Sequence, residues 1–336
     1  MSVTATAGFT SRGLLAELSS NVGSINQKLT QVSEEVSTGL VSTTYAGLGS
    51  GALTSLNLRP QMAQNDALSN GISAATSQMG VTQTVMTQIT TLAQGVLGKL
   101  SASSGSGTGA TGLDDIAAQA RDAFNSVVSL LNTQDGDSYI FAGQDSANPP
   151  VGSTTSFVAG VTGAVQGLGT GGTTLAATEA ASLGASTSEV FSSAAGQSTV
   201  QTVQTGQGAP VPYGVSASAP YMRQILQSLA TIGALSSTQT GTAGYATLVQ
   251  DAGKQLTAAS TALTADQGVL GERQDELTAT QTTMASTKIS LTTQLSGVED
   301  ADVASLATTQ SLLQTQLETS YKLISNMQNL SLVSYL

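Results

Sequence analysis

Apolar residues recur at alternating spacings of three and four along the chain, and this pattern predicts long amphipathic helices. One seam covers residues 14–36, and a second covers 68–100 with one polar exception. Leu or Met returns every seven or eight residues over 248–291, and a last seam covers 303–327. A helix over 245–295 would be about 75 Å long, which suits a rod better than a globule.

Shorter elements fill the gaps between these seams. Helical spacing over 116–131 follows a pair of acids that complement a helix N-terminus, and it returns at 221–229. The Asp-Gly-Asp sequence at 135–137 precedes a β-forming run, so it predicts a tight turn and a short strand. Residues 151–220 contain no Lys or Arg, two acids and many Gly, Ser, Thr and Val, which indicates a β-rich insertion.

These elements predict a mainly α fold. We expect a long antiparallel helical rod, a coiled-coil-like bundle built from both chain ends, with a small β hairpin and a β-rich inserted domain. The predicted segments are 1–43 with 299–336 as terminal helices, 44–148 with 219–298 as the helical rod with its hairpin, and 149–218 as the insertion.

The composition excludes several classes of metal site and catalytic site and argues against some classes of partner. The 336 residues include no Cys, His or Trp, so zinc sites of Cys and His, haem ligation by those residues and Ser-His-Asp triads are excluded. The net charge is −11, with ten scattered basic residues, which argues against nucleic acid. No apolar run approaches the roughly 20 residues that cross a bilayer, so we predict no membrane insertion. The first residues lack the basic and apolar regions of a secretory signal.

Sequence motifs that resemble binding or catalytic sites fit structural roles better. The Gly-x-Gly-x-x-Gly sequence at 107–112 follows a predicted helix, whereas a dinucleotide site needs a strand there. The paired acids, such as Glu34-Glu35 and Asp114-Asp115, are adjacent and point to different faces of a helix. We therefore predict no catalytic residue, no cofactor, no metal site and no enzyme activity.

The apolar seams at the two chain ends are the remaining candidates for function. Periodicity alone fits an intramolecular bundle and a polymer interface equally well. If neighbouring subunits bury the seams, the assembly interface comprises Leu14, Leu18, Val22, Ile25, Leu29, Val32, Val36, Val303, Leu306, Leu313, Leu317, Ile324 and Met327.

Several segments resemble one family. The sequence Val-Ser-Thr-Gly-Leu at 36–40 resembles the bend that closes the first helix of bacterial flagellins and their relatives. Residues 136–143 and the ending at 330–336 resemble the hook–filament junction proteins, also called hook-associated protein three. The resemblance covers about 10–145 and 213–336. Two departures are the missing Pro-Ser-Asp-Asp-Pro-Ala stretch, replaced by 45–51, and Pro60 within a helical segment.

The resemblance implies a structural protein of the flagellum that joins hook to filament and is needed for filament assembly and swimming. It also implies export through the flagellar type III apparatus without a cleavable signal, and an extracellular location. The implied partners are the other hook–filament junction protein, flagellin, further copies in a ring, and a cytoplasmic export chaperone that binds the C-terminal helix.

Two other functions stay open. A short flagellin, the filament subunit itself, would share the same helical ends. A secreted carbohydrate-binding or enzymatic protein would use the middle domain, but that region has few charged and aromatic residues.

Overall fold

The computed structural model describes residues 4–105, 110–168, 190–191, 200–206, 208–242 and 244–333. This part of the chain is mainly helical, which confirms the predicted fold class. Its α-helices are α1 (Thr4–Thr38), α2 (Ala52–Gly105), α3 (Ala110–Leu131), α4 (Thr155–Gln166), α5 (Pro220–Ala234), α6 (Tyr245–Glu299) and α7 (Val303–Val333). The strands β1 (Gln134–Asp135), β2 (Ser138–Tyr139), β3 (Thr202–Val203) and β4 (Val211–Pro212) form two antiparallel pairs.

The chain divides into two compact units. Unit 1 comprises Met1–Asn65 and Ala285–Leu336, and unit 2 comprises Asp66–Met284. Unit 1 thus contains both chain ends, and unit 2 contains the insertion. The division of the sequence into terminal helices, rod and insertion stays a prediction.

In unit 2, α2 and α6 lie side by side and run antiparallel. Near one end of the pair, Nε2 of Gln281 donates to Oγ of Ser73 over 2.6 Å. Near the other, a Cβ added to Gly253 would lie 3.2 Å from Cδ2 of Leu100. Residues early in α2 therefore meet residues late in α6, and late residues of α2 meet early ones.

The predicted seams of these two helices form much of the unit 2 core. Each periodic position faces inward because the spacing of three and four keeps one stripe of a helix turned to its neighbour. The buried seam residues are Ile72, Ala75, Met79, Thr82, Met86, Ile89, Ala93, Val96 and Leu100 of α2, and Leu248, Leu256, Leu263, Leu270, Leu277 and Met284 of α6.

The helix α5 lies deepest in unit 2. It packs against α3 and α4, and nearly every residue from Ile225 to Gly233 is buried. The rings of Phe124 in α3 and Phe157 in α4 stack with centroids 5.9 Å apart and planes inclined by 14°. One buried polar side chain of α5 has a partner on α6: Oγ of Ser228 donates to Oε1 of Gln255 over 2.8 Å.

The predicted hairpin is present. Gln134 pairs with Tyr139 and Asp135 with Ser138, so Gly136 and Asp137 form a two-residue turn. Gly136 has φ of +61°, the left-handed conformation that such turns require and that glycine adopts without steric cost. The residues that follow, Ile140, Phe141 and Ala142, are buried in the core.

The described part of the insertion contains a helix that its composition does not indicate. Its described part begins with α4, whose Phe157, Val161 and Val165 recur every four residues and are buried. The β content in this part comprises the ladder of β3 with β4 and one bridge between Val151 and Phe191. Residues 169–189, 192–199 and 207 lie outside the described residues. The helix forms because its buried stripe packs on α5, and this tertiary contact outweighs the weak helix propensity of Gly, Thr and Val.

Threonine hydroxyls recur along α2 and α6, mostly at exposed positions. In α2 and α6, Oγ1 donates to the carbonyl oxygen four residues earlier over 2.8–3.1 Å. The donors are Thr76, Thr82, Thr84, Thr87, Thr90, Thr91, Thr257, Thr261, Thr264, Thr278, Thr280, Thr282, Thr283 and Thr293. These hydroxyls satisfy themselves locally, so exposed faces of both helices are polar with few charges.

Candidate assembly interface

The two chain ends meet in unit 1. The amide of Ala301 donates to the carbonyl of Gly39 over 2.9 Å, and the amide of Val41 donates to that of Glu299 over 2.7 Å. These bonds hold the C-terminal end of α1 beside the N-terminal end of α7. The two helices pack along each other, and they therefore run antiparallel.

A glycine ends α1 at this junction. The amide of Gly39 donates to the carbonyl of Glu35, and Gly39 has φ of +71°. A left-handed residue directly after a helix satisfies a terminal carbonyl and turns the chain, and residues with a Cβ adopt it at a cost. The Ser-Thr-Gly sequence noted above therefore has a geometric reason for its glycine.

The predicted interface residues lie on facing helices but are incompletely covered. Val32 and Leu313 are buried, whereas Leu14 and Val303 are exposed. The other predicted residues are half-buried: Leu18, Val22, Ile25, Leu29, Val36, Leu306, Leu317, Ile324 and Met327. The seams of α1 and α7 thus meet each other in one chain and still leave apolar area in contact with solvent.

Further apolar side chains of unit 1 are exposed on other faces. They include Val41, Tyr45, Leu53, Leu56, Ile289, Leu312, Tyr321 and Leu323, with Leu53 at 71% exposure. Among the residues the structure describes, Val269 is the one large hydrophobic side chain of unit 2 with comparable exposure. Exposed apolar side chains concentrated in one unit suit a protein interface.

Sequence periodicity missed these exposed residues. The heptad seam of α2 begins at Leu68, but Leu53 and Leu56 lie three residues apart on the first turns of the same helix. Their spacing was the available signal. It was short, and it preceded Pro60, which the helix accommodates without ending.

A buried carboxylate fixes the helices around this region. Glu299 accepts hydrogen bonds from Oγ of Ser55 and, over 3.0 and 2.7 Å, from Nε and a terminal nitrogen of Arg59. The Arg59 side chain is 53% exposed, whereas that of Glu299 is 10% exposed. The hydrogen bonds from Arg59 and then Ser55 hold the pKa of Glu299 below its usual value. The carboxylate also raises the pKa of Arg59.

The turn before α2 packs closely on the same region. It is a 3₁₀ helix, Tyr45–Gly51. A Cβ added to Gly51 would lie 2.4 Å from Cγ1 of Val298, a distance that real contacts do not reach. Glycine therefore allows the start of α2 to approach the end of α6, and that approach brings Ser55 and Arg59 to Glu299.

The described residues offer no obvious catalytic or metal centre. No group of three or more His, Cys, Asp or Glu side chains within the described ranges could hold a metal ion. No helix in this part of the chain is long and apolar enough to cross a membrane. The chemistry available in unit 1 is apolar contact with a polar margin, which serves association between proteins.

Comparison with known proteins agrees with this architecture. The family model of the bacterial flagellin N-terminal helical region matches residues 12–146, and that of the bacterial flagellin C-terminal helical region matches residues 254–336. No curated protein sequence matches the chain.

The solved structures that are similar to the chain include two flagellar proteins. A putative flagellar hook-associated protein from Vibrio parahaemolyticus is 10% identical with a TM-score of 0.54, over 73% of this chain and 96% of that one. FlgL from Bacillus cereus is 11% identical with a TM-score of 0.40, over the same shares. The first of these shows a shared fold. Since the two flagellin models together span about two thirds of the sequence and match both of its ends, the chain belongs to the bacterial flagellin family.

Proposed function

We propose that this chain is a subunit of the junction between hook and filament and assembles through unit 1. Membership of the flagellin family makes it a structural protein of the bacterial flagellum. The proposal that unit 1 is the assembly surface rests on one observation, the unequal distribution of exposed apolar side chains between the two units.

Unit 2 buries most of its large apolar side chains, whereas unit 1 leaves many of its own exposed. Every residue of the large hydrophobic cluster, from Ile72 to Met284, belongs to unit 2. Unit 1 holds a few buried positions and most of the exposed large hydrophobic side chains in the described part of the chain. Burying a side chain such as Leu contributes about 1.5–3 kcal/mol, so neighbouring subunits that cover unit 1 would gain stability from many positions at once.

The junction is favoured over other flagellar positions by two likenesses. Residues 136–143 and the C-terminal sequence resemble those of hook–filament junction proteins. The fold is shared with a protein described as a putative flagellar hook-associated protein, nearly all of whose chain is covered. The proposed partners are therefore further copies in a ring, the other junction protein on the hook side, and flagellin on the filament side.

The same exposed surface would need protection before export. We propose that a cytoplasmic export chaperone covers α7, whose Leu312, Tyr321 and Leu323 are about half exposed. The chain would then leave the cell through the type III apparatus and function outside it.

A short flagellin is the second candidate. The observation in its favour is that both matching family models describe flagellin itself. Copy number separates the two functions, because a filament contains thousands of subunits and a junction contains one ring. Quantitative mass spectrometry of sheared flagella should find this chain far below the main flagellin, and parity between them would favour the filament subunit.

Deletion of the gene tests the junction role directly. We expect cells with hooks, without filaments, and with flagellin released into the medium, and we expect motility to return when the intact gene is restored. Cells that keep full-length filaments and swim normally would contradict the proposal.

A further inference from the structure

Unit 2 contains a cavity of about 570 Å³ that the proposed assembly does not involve. The start of α5, the segment before it and the middle of α6 form its walls. We propose that this cavity binds a small organic anion, whose oxyanion head lies at Arg223 and Arg273 and whose apolar body fills the remaining space. This inference is independent of the junction role.

The two arginines carry the argument. Arg223 and Arg273 come from different helices and line the same cavity, although the whole chain has only ten basic residues. Both are half-buried, and neither forms an ion pair within the described part of the chain. A partly desolvated guanidinium without a carboxylate is costly, and its planar fork matches the oxygens of a carboxylate or phosphate.

The acid in the cavity already has another partner. Asp266 also lines the wall, but its Oδ2 accepts a hydrogen bond of 2.5 Å from the hydroxyl of Tyr221. Burial and this hydrogen bond raise the pKa of Tyr221, so the phenol stays protonated as a donor. Tyr221 thus orients the carboxylate, and the two guanidinium groups outnumber it on the cavity wall.

The other walls suit a compact apolar body. Phe191, Val215 and Leu270 contribute apolar surface, and the volume falls within the roughly 300–1,000 Å³ of small-molecule pockets. A body of this kind distinguishes the site from a surface patch that attracts any ion. The ligand class is therefore an organic carboxylate or phosphate ester.

Calorimetry on the full-length chain tests this with four probes. Phenyl phosphate and benzoate carry both head and body, inorganic phosphate carries the head alone, and benzyl alcohol carries the body alone. We expect saturable one-site binding of at least one of the first two probes, with weaker binding of the last two. The stronger of the first two identifies the head as phosphate or carboxylate. Nuclear magnetic resonance spectra of the isotope-labelled wild-type protein give a second readout that needs no variant. On addition of the ligand, changes in amide chemical shift should concentrate in residues 212–223 and 266–273.

The paired substitution Arg223→Gln with Arg273→Gln should weaken binding about tenfold or more, because charged hydrogen bonds to the head are lost. The matched control Lys99→Gln with Lys322→Gln removes the same charge from exposed positions and should bind as wild type. Thermal melting shows whether each variant is folded. The proposal is wrong if neither organic anion binds, if benzyl alcohol binds as tightly as they do, if the shifts lie elsewhere, or if a folded double arginine variant keeps wild-type affinity.

Discussion

Glu299 joins three segments of unit 1 through its side chain and its backbone. Its carboxylate accepts from Ser55 and Arg59 at the start of α2, and its carbonyl accepts from Val41, which follows α1. Sequence periodicity could not find this contact, because the partners are more than 200 positions apart and belong to no motif. The physical signal is tertiary: a buried acid requires donors, and the fold supplies them.

Replacing Glu299 with Gln should loosen this junction. The change keeps the shape but removes the charge that strengthens the hydrogen bonds, at a cost of about 1 kcal/mol since Arg59 is largely exposed to water. Hydrogen exchange of the Val41 and Ala301 amides should become about fivefold faster at pH 7. Glu318→Gln, at an exposed position of α7, should leave both rates unchanged.

The effect of this variant should depend on pH. The pKa of Glu299 is lowered in the folded chain, so its stabilising contribution is present above the ordinary value of 4.5 and is lost as pH falls through the lower folded value. After correction for intrinsic exchange, the difference between wild type and Glu299→Gln should therefore shrink on acidification. A difference that persisted at the lowest pH with a folded chain would mean that charge is not its cause.

Gly39, which ends α1, and Gly23, within α1, allow the same substitution to be compared in two backbone conformations. Gly39 has a left-handed backbone, whereas Gly23 lies within the helix with open space where a Cβ would be. Gly39→Ala should destabilise unit 1 by about 1 kcal/mol, and Gly23→Ala should stabilise it by up to about 1 kcal/mol. Urea denaturation followed by circular dichroism measures both, and shifts of the same sign would contradict this explanation of the bend.

At the scale of elements, periodicity predicted the long helices well but did not predict the helix α4. The seams of α2 and α6 are regular over many turns, so local pattern and tertiary packing agree. The helix α4 has one short stripe, Phe157 to Val165, interrupted by Gly160 and Gly163, and its packing on α5 decides its conformation. Exposure on unit 1 was also beyond prediction, because a repeat shows which residues share a face and not what covers that face.

Two adjacent leucines in α7 allow the effects of a substitution on folding and on assembly to be measured separately. Leu313 is 7% exposed and Leu312 is 59% exposed. Leu313→Asp should destabilise the packing of α1 with α7 by about 3 kcal/mol or more, because a carboxylate is buried without a partner. Leu312→Asp should leave the monomer as stable as wild type but prevent filament growth.

Denaturation and a motility assay on both leucine variants give the measurement, and Gln316→Asp on the exposed face adds a charge without removing an apolar group. Normal swimming of a well-exported Leu312→Asp strain would show that this face of α7 is not an assembly surface. A large loss of stability in the same variant would show that the face is packed within the chain.

At the scale of the whole molecule, the core belongs to one unit and the exposed apolar surface mostly to the other. The fragment 66–284 contains the entire hydrophobic cluster, so we expect it to fold alone and to melt cooperatively. Phe157→Ala in this fragment should cost about 3–5 kcal/mol and lower its melting temperature. A fragment that is unstructured by circular dichroism would mean that unit 2 depends on the chain ends.

The threonine hydroxyls along α2 and α6 affect how the stability of these helices responds to salt. Ionic strength alters stability by screening charges, and the Debye length falls from about 30 Å at 0.01 M to about 3 Å at 1 M. The hydrogen bonds from Thr Oγ1 to a carbonyl of the same helix join uncharged groups. Their donor–acceptor distances of 2.8 and 2.9 Å are shorter than the Debye length of about 3 Å at 1 M. Helices with this surface should therefore keep nearly the same stability in fresh water and in brine.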